Sequence, residues 1–148
     1  MNELFYGALA KYNTEMKKIN DIYRSAIKRF MLSDCAFWIL YTLRIEQRSF
    51  TQSEIGDYLC EPKQTINSAL KKLEANNYIA LNPGNDQRSK KVSLTKAGEA
   101  LTQKTVDKLA NAEAKALCRM SADDCDAFIR LTKLFGIMLE EEINKMEE

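Results

Sequence analysis

The sequence predicts a mainly helical chain with one small β-hairpin, folded as a single domain over its 148 residues. Three observations predict it. Apolar residues recur every three or four positions over long stretches at both ends, the mark of amphipathic helices. Between Thr51 and Asn76 two shorter helical patterns abut at a proline. Directly after them, two short β-prone runs flank a turn rich in Asn, Pro, Gly and Asp.

The first helix is expected over residues 4–31. Leu4, Ala8, Tyr12, Met16, Ile19, Tyr23, Ile27 and Phe30 form its stripe, and no proline interrupts it. Such a stripe is stabilised mainly by a packing partner. Ser33-Asp34 starts a second helix that runs to about Arg44 and is apolar nearly all round, which marks it as the most buried. Ser49-Phe50 can add a short third strand to the later hairpin.

Thr51 and Glu54 have the spacing of a capping box, so a helix starts there, with Ile55, Tyr58 and Leu59 on its apolar face. Pro62 ends it, because proline lacks an N–H and pushes Glu61 out of helical geometry. Proline also suits the first position of the next helix, over about 62–76. With about 100° per residue, Ile66, Ala69, Leu70 and Leu73 share one side. Gln64, Asn67, Ser68 and Lys71 fall on the other, flanked by Thr65 and Lys72, with no acid among them. Amides, hydroxyls and lysines are the groups that bond base edges and phosphates. Asn77 sits where this helix must stop, and Asn tolerates the left-handed conformation of a C-terminal cap.

The hairpin pairs residues 78–81 with 91–94. Arg88 and Lys90 lie near its tip, where a cationic loop can reach a minor groove or the phosphates. Thr95 then caps a helix expected as one piece over 96–119. Ser121 and Asp124 signal a last helix over 121–148, striped by Phe128, Leu131, Leu134, Phe135, Met138, Leu139 and Ile143.

These residues resemble the winged helix-turn-helix of MarR-type (multiple antibiotic resistance regulator) transcription factors. The resemblance rests on Tyr58-Leu59, on Lys63-x-Thr65-Ile66-x-Ser68-x-Leu70-x-x-Leu73-Glu74, on Tyr78-Ile79, and most specifically on Asp86-x-Arg88 followed by Leu94-Thr95-x-x-Gly98. It covers nearly the whole chain. Cys60 and Asn77 stand where the family usually carries glycine. The resemblance implies a winged helix unit over about 33–96, a linking helix over about 96–119, and dimerisation helices over about 1–31 and 121–148. It also implies that Arg88 enters a minor groove and that Asp86 orients it.

Charge is distributed in keeping with that reading. The net charge is +1, yet residues 62–96 carry seven basic and two acidic side chains, while residues 137–148 carry five Glu and one Lys. Histidine is absent, which excludes an imidazole zinc site, and Cys35, Cys60, Cys118 and Cys125 lack paired spacing. No metal and no cofactor is expected. There is no glycine-rich phosphate loop and no nucleophile motif with a base, so no enzyme is expected. No apolar run is long enough to span a bilayer and no signal-like start is present, so no membrane partner and a cytoplasmic location are expected.

The expected function is a homodimeric, sequence-specific regulator of double-stranded DNA, acting as a repressor on a palindromic operator and released by a small ligand or by oxidation. Lys71, Lys72, Lys90 and Lys91 are assigned to phosphates, Lys63 to the same interface, and Gln64, Thr65, Asn67 and Ser68 to base edges. Tyr12, Arg24, Phe37, Trp38 and Tyr41 are the candidates for a pocket taking an aromatic or anionic effector, with Arg24 or Arg44 as its cation; the alternative, which the pattern favours, is that these aromatic residues fill the core. The four cysteines read first as small buried hydrophobes; if any is a redox sensor, Cys35 and Cys60 are the candidates. The alternative is a winged-helix protein-interaction module that binds no DNA.

Overall fold

The structure is a computed structural model that describes residues 3–84 and 90–146. The order is α1 (Glu3–Lys28), α2 (Asp34–Glu46), β1 (Phe50–Thr51), α3 (Gln52–Leu59), α4 (Lys63–Ala75), β2 (Ile79–Pro83), β3 (Lys90–Leu94), α5 (Lys96–Lys104), α6 (Val106–Leu117) and α7 (Ala122–Asn144). The fold is mainly helical, with one small antiparallel sheet ordered β1-β3-β2. Ile79 pairs with Leu94 and Pro83 with Lys90, while Phe50 of the expected third strand pairs with Val92. No described helix is long and apolar enough to cross a membrane. The chain divides into two compact units, Met1–Leu109 and Ala110–Glu148.

The core of the first unit gathers Phe37, Ile39 and Leu40 from α2, Ile55 from α3, Ile66, Leu70 and Leu73 from α4, and Phe50, Ile79 and Val92 from the sheet. The all-round apolar pattern of α2 therefore marks the central helix. Its start is capped by Ser33, whose hydroxyl accepts from the Ala36 N–H at 3.3 Å. At its other end, Arg44 makes a two-pronged ion pair with Asp107 in the first turn of α6. Nε donates to Oδ1 at 2.9 Å and Nη2 to Oδ2 at 2.7 Å.

The turns around α3 and α4 form as the residues dictate. The Thr51–Glu54 capping box is complete: the Thr51 N–H donates to Glu54 Oε2 at 2.5 Å and the Glu54 N–H to Thr51 Oγ1 at 3.2 Å. Arg48 lies 3.5 Å over the Phe50 ring and 3.6 Å from Glu54, fixing the entry to α3. Both helices end on a non-glycine residue in the left-handed region, Cys60 at φ 51° and Asn77 at φ 58°. After each, the chain folds back: the Glu61 N–H donates to Gly56 O and the Tyr78 N–H to Leu73 O. This is the Schellman arrangement, which satisfies carbonyls that a helix end leaves open. Pro62 sits at the N-cap of α4, one position earlier than expected.

The single linking helix expected over 96–119 is in fact two helices. The break is at Thr105 (φ −124°, ψ −74°). Thr102 and Thr105 are buried, and their hydroxyls donate back to Glu99 O and Leu101 O. Hydroxyls bonding to the preceding turn compete with the helical ladder and bend it.

The second unit holds most of α6 and all of α7. Ser121 caps α7, accepting from the Asp124 N–H at 3.1 Å. No residue of α7 is buried, and Phe128, Leu131, Leu134, Phe135, Met138 and Leu139 are all exposed. In the first unit, α1 likewise exposes Phe5, Leu9, Tyr12, Met16 and Ile19.

Candidate nucleic-acid interface

Helix α4 buries Ile66, Ala69, Leu70 and Leu73, as its periodicity dictates. Gln64, Thr65, Ser68, Lys71 and Lys72 on the opposite side are exposed, and Asn67 is half-buried. The helix thus presents two amides, two hydroxyls and two lysines on one solvent-facing surface.

Beside this face runs an open groove of about 860 Å³. Its walls are Lys63, Asn67 and Lys71 of α4, Gln52 and Ser53 of α3, and Leu81 and Lys90 of the sheet. A wing lysine therefore faces helix lysines across one channel. Strand alternation separates Lys90 from Lys91. Lys90 shares the groove side with Leu81, whereas Lys91, half-buried, lies on the other face with Asn82 and Ser93. Asn82 Nδ2 donates to Ser93 Oγ at 2.9 Å across that face. Among the described residues, Lys63, Lys71, Lys72, Lys90 and Lys91 have no carboxylate within 4 Å. Asp86 and Arg88, expected at the wing tip, lie outside the described residues.

Two features were not anticipated. Gln52 and Ser53 line the groove, placed there because the capping box turns the first residues of α3 toward α4. The groove also contains Asp57, Glu61 and Glu74, so the absence of acid holds for the outermost face of α4 and not for its groove side. Glu74 follows Lys71 by three residues and Asn67 by seven, a helical spacing that was legible.

The aromatic residues read as an effector pocket are brought together only in part. Phe37 is fully buried and belongs to the core, stacked on Phe30 at 5.8 Å. Trp38 meets Phe37 at 5.4 Å and Tyr41 at 5.2 Å, both edge-on. Tyr12 is exposed farther along α1. Arg24 lies 3.9 Å from Asp34, both well exposed, and Arg44 is taken by Asp107. Of the two redox candidates, Cys60 is exposed in the α3–α4 turn. Cys35 is half-buried at the start of α2, and burial, helped by the charge of Glu61, pushes its thiol pKa up, away from a reactive thiolate.

No family model matches the chain. It is 31% identical over 119 residues to the uncharacterized HTH-type transcriptional regulator YwoH of Bacillus subtilis (strain 168), covering 80% of this chain and 83% of that protein. Its fold matches NMB1585, a MarR family regulator from Neisseria meningitidis, with a TM-score of 0.82, 25% identity, and coverage of 98% and 99% of the two chains. It also matches MepR of S. aureus, solved as a DNA complex, with a TM-score of 0.69, 21% identity, and coverage of 86% and 97%. The exposed lysine-and-amide helix, the three-stranded wing sheet and these likenesses agree: the chain belongs to the MarR family of winged-helix, DNA-binding transcriptional regulators.

Proposed function

We propose that the chain acts as a homodimeric repressor of a palindromic double-stranded operator. The observation that carries this reading is the uncovered outer face of α4, with Gln64 and Ser68 exposed beside lysines that make no ion pair with a described residue. Gln64, Thr65, Asn67 and Ser68 read base edges; Lys63, Lys71, Lys72 and Lys90 hold phosphates, and Arg88, in the role the resemblance implies for it with Asp86, reaches the minor groove. The exposed stripes of α1 and α7 are buried in the dimer, which places two α4 helices about 34 Å apart, one turn of duplex. MepR, solved with DNA, supports the DNA partner by likeness of fold.

The test combines sedimentation of the full chain with fluorescence anisotropy on the DNA upstream of its own coding sequence. A dimer that binds a palindromic segment at low salt, and competes poorly for scrambled DNA, is the expected result. A monomer, or equal affinity for scrambled DNA, overturns the reading. Release by a ligand or by oxidation belongs to the same proposal. For oxidation the exposed Cys60 is the better placed thiol, and peroxide should weaken DNA binding in the wild type but not in Cys60→Ser.

A further inference from the structure

We propose that a cleft between the first turns of α2 and the α3–α4 turn binds a small organic cation, held by the Glu61 carboxylate beside the rings of Trp38 and Tyr58. The cleft measures about 320 Å³ and is lined by Cys35, Trp38, Tyr58, Leu59 and Glu61. That volume lies at the small end of ligand sites, enough for one ring with a charged head group. The chemistry is consistent around the wall: two electron-rich rings, one aliphatic side chain, one thiol and one carboxylate. A cation over such rings is attracted by their quadrupoles, more strongly where water is excluded.

Both rings are already held. Trp38 packs edge-on against Tyr23 at 5.6 Å and against Tyr41 at 5.2 Å. The Tyr58 hydroxyl donates to Glu46 Oε1 at 3.0 Å, which pushes its pKa up and keeps it neutral, and its ring meets Phe50 at 6.0 Å. A ligand entering the cleft therefore has few rotamers to freeze, which lowers the entropic cost of binding. The Cys35 thiol is held neutral by burial and by the charge of Glu61. The negative field of Glu61, which helps disfavour a thiolate at Cys35, favours a cation in the same cleft.

Glu61 makes no ion pair with a described residue. Among the described residues, no cation lies within 4 Å of its carboxylate and no side-chain hydrogen bond reaches it. Glu61 borders both this cleft and the neighbouring groove, whereas Lys63 lines only the groove. Next to the lysines of α4 a carboxylate only weakens the field that attracts phosphate, so DNA binding gives Glu61 no evident task. The cation site does not rest on the DNA-binding reading, and its charge preference is opposite to the anionic effector expected from the sequence.

Trp38 is the sole tryptophan of the chain, so its fluorescence reports on the cleft directly. The full chain is titrated at neutral pH with benzamidine, benzamide and benzoate, which share a ring and differ in charge. The expected result is a saturable change with benzamidine, with affinity for the other two at least about tenfold weaker. Glu61→Gln, at an exposed position, should weaken benzamidine about tenfold and leave benzamide unchanged. Benzoate binding as well as benzamidine, equal affinity in Glu61→Gln, or no saturable change with benzamidine would each overturn the proposal.

Discussion

Gly98 lies so close beneath Tyr78 that a β-carbon on it would overlap the Tyr78 carbonyl oxygen and sit 2.9 Å from the carbonyl carbon. The same oxygen accepts the Thr95 N–H at 3.1 Å, and Thr95 Oγ1 accepts the Gly98 N–H at 3.0 Å to cap α5. Thr95 Oγ1 also donates to Asn77 O at 2.6 Å. The Thr95-x-x-Gly98 motif thus locks the end of α4, the wing strands and the start of α5 at one point. No described glycine has positive φ, so the requirement here is close approach, not backbone freedom. Gly98→Ala forces backbone apart and should cost roughly 1–3 kcal/mol, read as a lower urea midpoint with an unchanged slope.

The left-handed residue at each end of the helix-turn-helix leads to a second expectation. A non-glycine side chain in this region costs about 1–2 kcal/mol, less for Asn. Glycine removes that strain but adds freedom to the unfolded chain, worth roughly 0.5–1 kcal/mol. Cys60→Gly should therefore stabilise by a few tenths to about 1 kcal/mol, while Asn77→Gly should be near neutral. Thermal melts of the two variants against the wild type decide it. Equal shifts would mean that Cys60 is not strained at φ 51°.

The Arg44–Asp107 pair makes stability depend on acid. The hydrogen bonds from Arg44 hold the Asp107 carboxyl below its ordinary range. A carboxyl with a depressed folded pKa stabilises the native state above its unfolded pKa of about 3.9, and this is lost as pH falls through the lower folded value. Both side chains are about a third exposed, 32% and 31%, so solvent screening limits the pair to no more than about 1 kcal/mol. Asp107→Asn should lower the urea midpoint at pH 7 and match the wild type progressively as pH falls below about 4. A gap that stays constant with pH would assign the loss to packing.

How much of this was legible depended on whether the physics was local. The capping box at Thr51, the break at Pro62 and the apolar side of α4 are set within a few residues, and they appear where the sequence puts them. The break at Thr105 was hidden because Thr105 continues the stripe of Leu101 and Leu109, and periodicity does not register a hydroxyl bonding backward. Arg44 read as a free cation because Asp107 is 63 residues away. The spacing of Glu74 from Lys71 and Asn67 shows that they share a side of α4, but α4 taken alone does not show what that side faces. The groove that makes Glu74 a wall exists only once the sheet and α3 pack alongside. The exposed apolar faces of α1 and α7 were plain in the pattern, since a stripe needs no partner to be visible.

The separation of the two wing lysines gives the last expectation, which rests on the DNA-binding proposal. Sequence treats Lys90 and Lys91 alike, but Lys90 opens onto the groove shared with Lys71, and Lys91 lies on the far face opposite Thr51 and Asn82. A phosphate contact releases about one counterion, so Lys90→Ala should reduce the slope of log K against log salt by about 1 and weaken binding evenly across sequences. Lys91→Ala should leave that slope nearly unchanged. Arg88→Ala should cost roughly 1–3 kcal/mol and relax sequence preference if its side chain enters the minor groove. Anisotropy titrations at several salt concentrations, on operator and scrambled duplex, separate the three. Equal slopes for the two lysine variants would mean that the duplex meets both faces of the wing, and the groove side of α4 would lose its claim to the phosphates.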